Sequence, residues 1–156
     1  MSRLKKGGTI AAAAFAVLAA SEGLRLNAYP DPATKGHPWT VCYGETKGIK
    51  KGMSFTANEC REMLIARADE FGNGVEKCTI SAKYMPEKRY VAHVSLAYNI
   101  GVGAYCKSSI SRLENAGQTR ASCDAFLKWN RAAGMVFPGL TRRRKEERAL
   151  CLEGLS

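Results

Sequence analysis

Residues 7–21 of this chain, Gly-Gly-Thr-Ile-Ala-Ala-Ala-Ala-Phe-Ala-Val-Leu-Ala-Ala-Ser, hold no charged side chain, and Arg3, Lys5 and Lys6 stand just ahead of them. Alanine is the best helix former, so the run predicts a helix. Its fifteen residues, at about 1.5 Å each, make roughly 22 Å of helix, short of the ~30 Å hydrocarbon core of a bilayer. Ile10, Phe15, Val17 and Leu18 are its strong membrane formers, and at about −0.3 to −0.6 kcal/mol each they contribute roughly −1 to −2.5 kcal/mol of insertion free energy. Such a segment can enter a bilayer and also leave it. A basic flank followed by an apolar run is also the order of a secretory signal, and Val17-Leu18-Ala19 or Leu18-Ala19-Ala20 would suit a signal peptidase. Cleavage there would strand Glu22 near a new N-terminus, so the reading taken here keeps the run.

Glu22 follows this run and Gly23 is a helix stop, which puts the glutamate in the last helical turn. The negative end of the helix dipole and the apolar flank both disfavour its ionisation, as a general acid working near neutral pH requires. Asp31 lies between Pro30 and Pro32, in a short loop where a carboxylate stays charged. One protonated and one ionised carboxyl is the pattern that cleavage of a glycosidic bond needs. Trp39-Thr40-Val41-Cys42-Tyr43 is β-branched and aromatic and reads as a strand, from which Thr40 can aim a hydroxyl at a water held by Asp31. Taken singly, each residue has a plainer reading: a solvated helix end, a turn aspartate, a sheet threonine.

Together they resemble the phage-type lysozymes, the family of T4 and lambdoid endolysins. That family shows Glu-Gly-x-Arg-Leu, a tyrosine, an aspartate nine positions after the glutamate, and a Thr-x-Gly/Cys-x-Gly strand; this chain has Glu22-Gly23-Leu24-Arg25-Leu26, Tyr29, Asp31 and Thr40-Val41-Cys42-Tyr43-Gly44. Eight residues separate Asp31 from Thr40 where the family usually has five, which implies a longer turn through Lys35-Gly36-His37 and makes Thr34 the competitor for the threonine role. The family's histidine after that last glycine is Glu45 here. Ser95 to Gly101 and the run from Gly139 through Arg142 and Arg143 extend the likeness over residues 22–153.

The resemblance implies an α+β, lysozyme-like fold, with a small β-sheet lobe, a larger mostly helical lobe and a cleft between them. It implies an endolysin, a muramidase hydrolysing the β-1,4 bond between N-acetylmuramic acid and N-acetylglucosamine in peptidoglycan. Glu22 would be the acid and Asp31 with Thr40 the water-activating pair. The N-terminus is similar to the signal-anchor-release segments of a subset of these enzymes. Residues 1–21 are then a tether that becomes the first helix of the lysozyme domain at 22–156. The expected life history is an inactive form in the host inner membrane, held through residues 7–21, and an active one in the periplasm. A monomer is expected, with no cofactor, no metal and no nucleic-acid partner. The rivals are a lytic transglycosylase on the same substrate, a basic non-catalytic binding module and a membrane-tethered structural protein.

The 156 residues suit one compact domain, and the net charge of +10 calls for an acidic partner without choosing between nucleic acid, an anionic membrane and a cell wall. Six cysteines, Cys42, Cys60, Cys78, Cys106, Cys123 and Cys151, have no Cys-x-x-Cys spacing and only His37 and His93 beside them, which favours disulfides over zinc. Reduced buried thiols are the alternative, and fifteen pairings stay open for six cysteines.

Further helices are expected in five places. The first starts at a capping box, Thr56 with Glu59, and runs to about Phe71, where Gly72-Asn73-Gly74 breaks the pattern. A second extends from Pro86 to Asn99–Gly101, with His93 in the core, and shorter ones span Ser109–Asn115 and Arg120–Ala133. The last follows a turn at Pro138–Thr141, its Arg142 to Lys145 cluster either a solvated face with some internal ion pairs or one touching an anionic surface. Cys78–Lys83 is ambiguous, and Phe126 with Trp129 reads as core packing before a sugar platform.

Overall fold

The computed structural model describes residues 1–6, 8–31 and 37–155. A short helix α1 (Arg3–Lys6) leads into α2 (Gly8–Ser21), followed by strands β1 (Arg25–Pro30) and β2 (Trp39–Cys42). Next come α3 (Ala57–Cys78), a 3₁₀ turn at Ile80–Lys83, α4 (Glu87–Ile100), α5 (Val102–Lys107), α6 (Ser109–Asn115) and α7 (Thr119–Ala125). A 3₁₀ turn at Phe126–Lys128, a hairpin of β3 (Arg131–Ala132) and β4 (Met135–Val136), and α8 (Pro138–Glu153) complete the chain. The expected α+β division holds: a small sheet lobe and a larger helical one.

In the small lobe β1 and β2 are antiparallel, with Arg25 opposite Cys42, Tyr29 opposite Thr40 and Pro30 opposite Trp39. Between the first two pairs β1 advances four positions and β2 only two, so β1 carries a bulge and bends there. Its other edge is covered by residues 53–55, Ala28 N donating to the Met53 carbonyl and Phe55 N to that of Leu26. Val41, Cys42 and Cys60 form the lobe's core, and the Cys42–Cys60 disulfide pins the sheet to α3. The other cysteines pair as Cys78–Cys106 and Cys123–Cys151, so all six are in disulfides.

Helix α3 begins at the expected capping box, Thr56 Oγ1 accepting from Glu59 N and Glu59 Oε1 from Thr56 N, at 3.1 Å each. It bridges the lobes, giving Cys60 to the small core and Leu64, Ala68 and Val75 to the large one. It does not stop at Phe71. Gly72 and Gly74 lie inside it because neighbours leave no room for a side chain: a Cβ at Gly72 would sit 2.6 Å from Tyr90 Oη and 2.9 Å from Ser2 Oγ, and one at Gly74 2.6 Å from Val102 Cγ1. Gly72→Ala is therefore expected to cost about 1–3 kcal/mol. At ~2–4 °C per kcal/mol for a domain of this length the loss is readable by thermal unfolding; an unchanged Tm would mean that the N-terminal segment is not held there.

Eight consecutive residues of α4, Tyr90 to Ala97, are buried, as suits a helix with apolar side chains on every face. Around it pack α2, α3 and α8. His93 is wholly buried as expected, Nδ1 2.7 Å from Tyr105 Oη, and Phe126 is wholly buried as well. Helix α2 contributes Ile10, Ala14 and Leu18, one residue per turn, while α1 secures its start. There Leu4 is buried, Arg3 Nη1 donates to the carbonyls of Ala82 and Met85 at 2.8 and 2.7 Å, and Ser2 Oγ bonds Asp69.

Two expected boundaries shift. The helix anticipated over Arg120–Ala133 ends at Lys128, because Ala133 and Gly134 both adopt positive φ, +51° and +77°, and form the two-residue turn of the β3–β4 hairpin. Helix α8 begins at Pro138 itself, since proline suits the first helical position. Helix α5 was not anticipated.

Candidate active site

Glu22 stands one residue past α2, its backbone N–H donating to the Ala19 carbonyl at 3.3 Å, rather than within the last turn. Its side chain is 29% exposed and sits where the lobes meet. Oε1 is 3.8 Å from Arg143 Nη1 on α8, and Oε2 would lie 3.8 Å from a Cβ built on Gly44, in the turn after β2. Gly44 has φ +85°, which an ordinary side chain would strain, so the turn keeps its bare backbone against the carboxyl. Phe15 and Tyr43, edge to face at 5.5 Å, tie the helix to the same turn. Burial pushes the Glu22 carboxyl above its usual range, and the Arg143 guanidinium pulls the other way. Nearby Tyr98 is pushed up to about 12, by burial first and then by the charge of Glu22, so its phenol stays neutral.

Asp31 follows β1 and is half-buried; Thr40 lies on β2 and is buried. Thr40 pairs with Tyr29, two residues before Asp31, and the ladder ends one residue before Asp31, where Pro30 faces Trp39. Thr40 Oγ1 donates to the Pro38 carbonyl at 3.3 Å, which commits its proton and leaves its lone pairs to accept one. Directly after Thr40, Val41 and Glu45 exchange both backbone hydrogen bonds at 2.9 Å, closing the turn that carries Gly44 to Glu22. The three sequence-derived residues are thus strung along one hairpin and the helix end that meets it. Thr34, Lys35 and Gly36 lie outside the described residues.

The sequence reading gave Arg143, Tyr98 and Gly44 no role at the site, and it took the Arg142–Lys145 cluster for a surface-binding face or a solvated one with some internal ion pairs. Arg144 and Glu147 are instead buried, Arg144 Nε lying 2.8 Å from Glu147 Oε2. The signal was a run of arginines closely followed by glutamates, which serves a buried ion pair as well as a wet helix face. A cavity of about 320 Å³ runs between α2 and α8 past Ala16, Ser21, Ser95, Arg143 and Leu150. Another of about 540 Å³ opens over Ser21, Leu140, Arg142 and Arg143 at the start of α8. Among the described residues no group of three or more His, Cys, Asp or Glu could hold a metal ion.

The fold recurs in known proteins. The chain is 33% identical over 146 residues to the endolysin of Bacillus phage PZA, 93% of this chain but 55% of that protein, so it spans about half the length of that relative. It is 34% identical to the SAR-endolysin of Enterobacteria phage P21, over 95% of this chain and 90% of that one. Among solved structures it matches the active form of the P1 phage endolysin Lyz with a TM-score of 0.80 and 26% identity, over 92% of this chain and 85% of the other. Against the secreted inactive form of Lyz the TM-score is 0.54, at 24% identity over 70% of this chain and 77% of that one. The Phage lysozyme family model matches residues 19–147, a span that takes in Glu22, the sheet and Arg143, and the chain therefore belongs to the phage lysozyme family.

Proposed function

We propose that this chain is an endolysin that hydrolyses the β-1,4 bond between N-acetylmuramic acid and N-acetylglucosamine, lysing the host by opening its peptidoglycan. The observation that carries the reading is the half-buried Glu22 carboxyl, biased toward its protonated form where a helix end, a sheet turn and α8 converge. Glu22 gives its proton to the glycosidic oxygen as the bond to C1 breaks, and Arg143 then steadies the carboxylate left behind. Asp31 takes a proton from a water as that water attacks C1, and Thr40 orients it by accepting its other O–H. Inversion at C1 follows if the carboxyls stand about 6.5–9.5 Å apart, with room for the water between them.

The rival chemistry on the same substrate is transglycosylation, in which Glu22 acts alone and the muramic acid's 6-hydroxyl attacks. Digestion of purified peptidoglycan separates the two. Hydrolysis leaves reducing muramic ends, whereas 1,6-anhydro ends would overturn the muramidase. Asp31→Ala is expected to lower the hydrolytic rate by about 10²–10⁴-fold, as loss of a general base does; an Asp31→Ala enzyme of full activity would remove Asp31 from the mechanism.

We also infer that residues 7–21 hold the protein in the inner membrane before it reaches the periplasm. No helix among the described residues is long and apolar enough to cross a membrane. Helix α2 supports this reading in its docked state: Ala12 and Ala13 face outward, where an ordinary surface helix would carry polar residues.

A further inference from the structure

Arg143 is shared between two carboxylates. Its Nη1 lies 3.8 Å from Glu22 Oε1, and its Nε donates to Glu147 Oε1 at 3.2 Å. Nη2 is buried and makes no hydrogen bond to a described residue, so the guanidinium is located from its Nε side, by Glu147. Glu147 is itself fixed: Oε1 accepts from Ser95 Oγ on α4 at 2.7 Å and from Arg144 Nη2 at 3.0 Å, and its side chain is 2% exposed. The groups facing this cluster are few. Helix α2 presents Ala16, Val17, Ala20 and Ser21, all uncharged; α4 presents Ser95; α8 adds Glu146 beside Arg143 and Arg144. Around Glu22 the charged or titratable groups among the described residues include Arg143 and Tyr98, with Glu45 and Arg67 acting on Tyr98 in turn, and Asp31 stands at the end of β1.

We propose that Glu147, anchored by Ser95, is a positioning residue for the proton donor: it fixes the Arg143 guanidinium and offsets part of its charge, so that Glu22 keeps its proton and still has a cation at hand once the proton is gone. The proposal rests on the reading of Glu22 as the acid. Glu146 is exposed and its charge is screened by solvent; among the groups withdrawn from water, two guanidinium groups against Glu147 leave a net positive charge, and Glu22 is the carboxyl beside it. An undiminished guanidinium would favour the ionised form of Glu22 and empty the donor; an absent one would leave the product carboxylate half-buried without a partner.

The test is Glu147→Gln in the full chain. Glutamine keeps an oxygen for the Arg143 and Ser95 contacts; it removes the charge and puts an amide nitrogen in place of Oε2, the oxygen 2.8 Å from Arg144 Nε. The Cys123–Cys151 disulfide holds α8 to α7, so the helix has a covalent anchor when the ion pair is weakened. The midpoint of the Glu22 carboxyl, followed by carbon NMR, is expected to fall by on the order of 0.5–1 pH unit, and the alkaline limb of the pH–rate profile with it. In an Arg143→Lys background, where a point charge cannot engage both carboxylates, the same change should move the midpoint much less. A midpoint that stays or rises in Glu147→Gln overturns the proposal, as does an equal fall in both backgrounds. Should Glu147→Gln fail to fold, Arg143→Lys alone must raise the midpoint, and an unchanged one counts against the coupling. Wild-type protein without activity on peptidoglycan would sink the muramidase reading instead, and the NMR titration would remain readable.

Discussion

Glu22→Gln is expected to reduce hydrolysis of purified peptidoglycan by about 10²–10⁴-fold, the contribution of a positioned general acid. The fold should survive, because Glu22 lies past the end of α2, is part-exposed, and its described ion pair is a long one, 3.8 Å to Arg143 Nη1. Stability should move the opposite way to activity above the acid range. The folded-state pKa of Glu22 is raised, with burial the larger cause and Arg143 opposing it. Whatever this group contributes is therefore complete below the ordinary glutamate range and is lost as pH rises through the folded value. Glutamine carries no such penalty, so the variant's Tm should equal or exceed that of the wild type near pH 7 and converge with it below about pH 4. Activity within tenfold of the wild type would remove Glu22 from the acid role. A variant that loses activity and Tm together at neutral pH would mark Glu22 as structural.

The parts of this fold that were legible in the sequence are those whose signal is local. Thr56 and Glu59 announce the start of α3 through a reciprocal hydrogen bond that needs only four consecutive residues, and the alanine run announces α2 through propensity alone. Strand β1 was not announced: Arg25-Leu26-Asn27-Ala28-Tyr29-Pro30 has no β-branched residue, and it is held as a strand by β2 on one edge and residues 53–55 on the other. The glycines of α3 misled for the same reason, since Gly72 answers to Tyr90 and Ser2, partners 18 and 70 residues away. At the site, Glu22, Asp31 and Thr40 were legible because they fall within one short stretch. Arg143 was not, because its partner lies 121 positions earlier in the chain and a run of arginines looks solvated until Glu147 and Ser95 are seen to enclose it.

Leucine at Gly8, Ala12 and Ala13 is expected to shift the protein from the released to the membrane-held state. All three positions are exposed in the docked helix, and a Cβ at Gly8 meets nothing within 4 Å, so leucines there extend into solvent without disturbing the buried line of Ile10, Ala14 and Leu18. In lipid each leucine adds about −0.3 to −0.6 kcal/mol, together roughly −0.9 to −1.8 kcal/mol, which favours the bilayer by about 5- to 20-fold. That is comparable to the whole insertion free energy of the native run. The docked state gains no matching benefit, because it leaves the same side chains in water. Fractionation of cells expressing the triple variant should therefore show the membrane share rising by that factor and lysis delayed, while variant protein recovered in soluble form keeps wild-type activity per molecule. Lysine at Ala13 should act in reverse, since a charge near the helix centre opposes insertion by about 2.5–3.5 kcal/mol and costs little on an exposed face. Equal release of wild type and triple variant would mean that lipid never competes with the protein body for α2, and the tether would have to be abandoned. The outward alanines would then need another explanation, because folding of the docked helix alone asks for polar residues in their place.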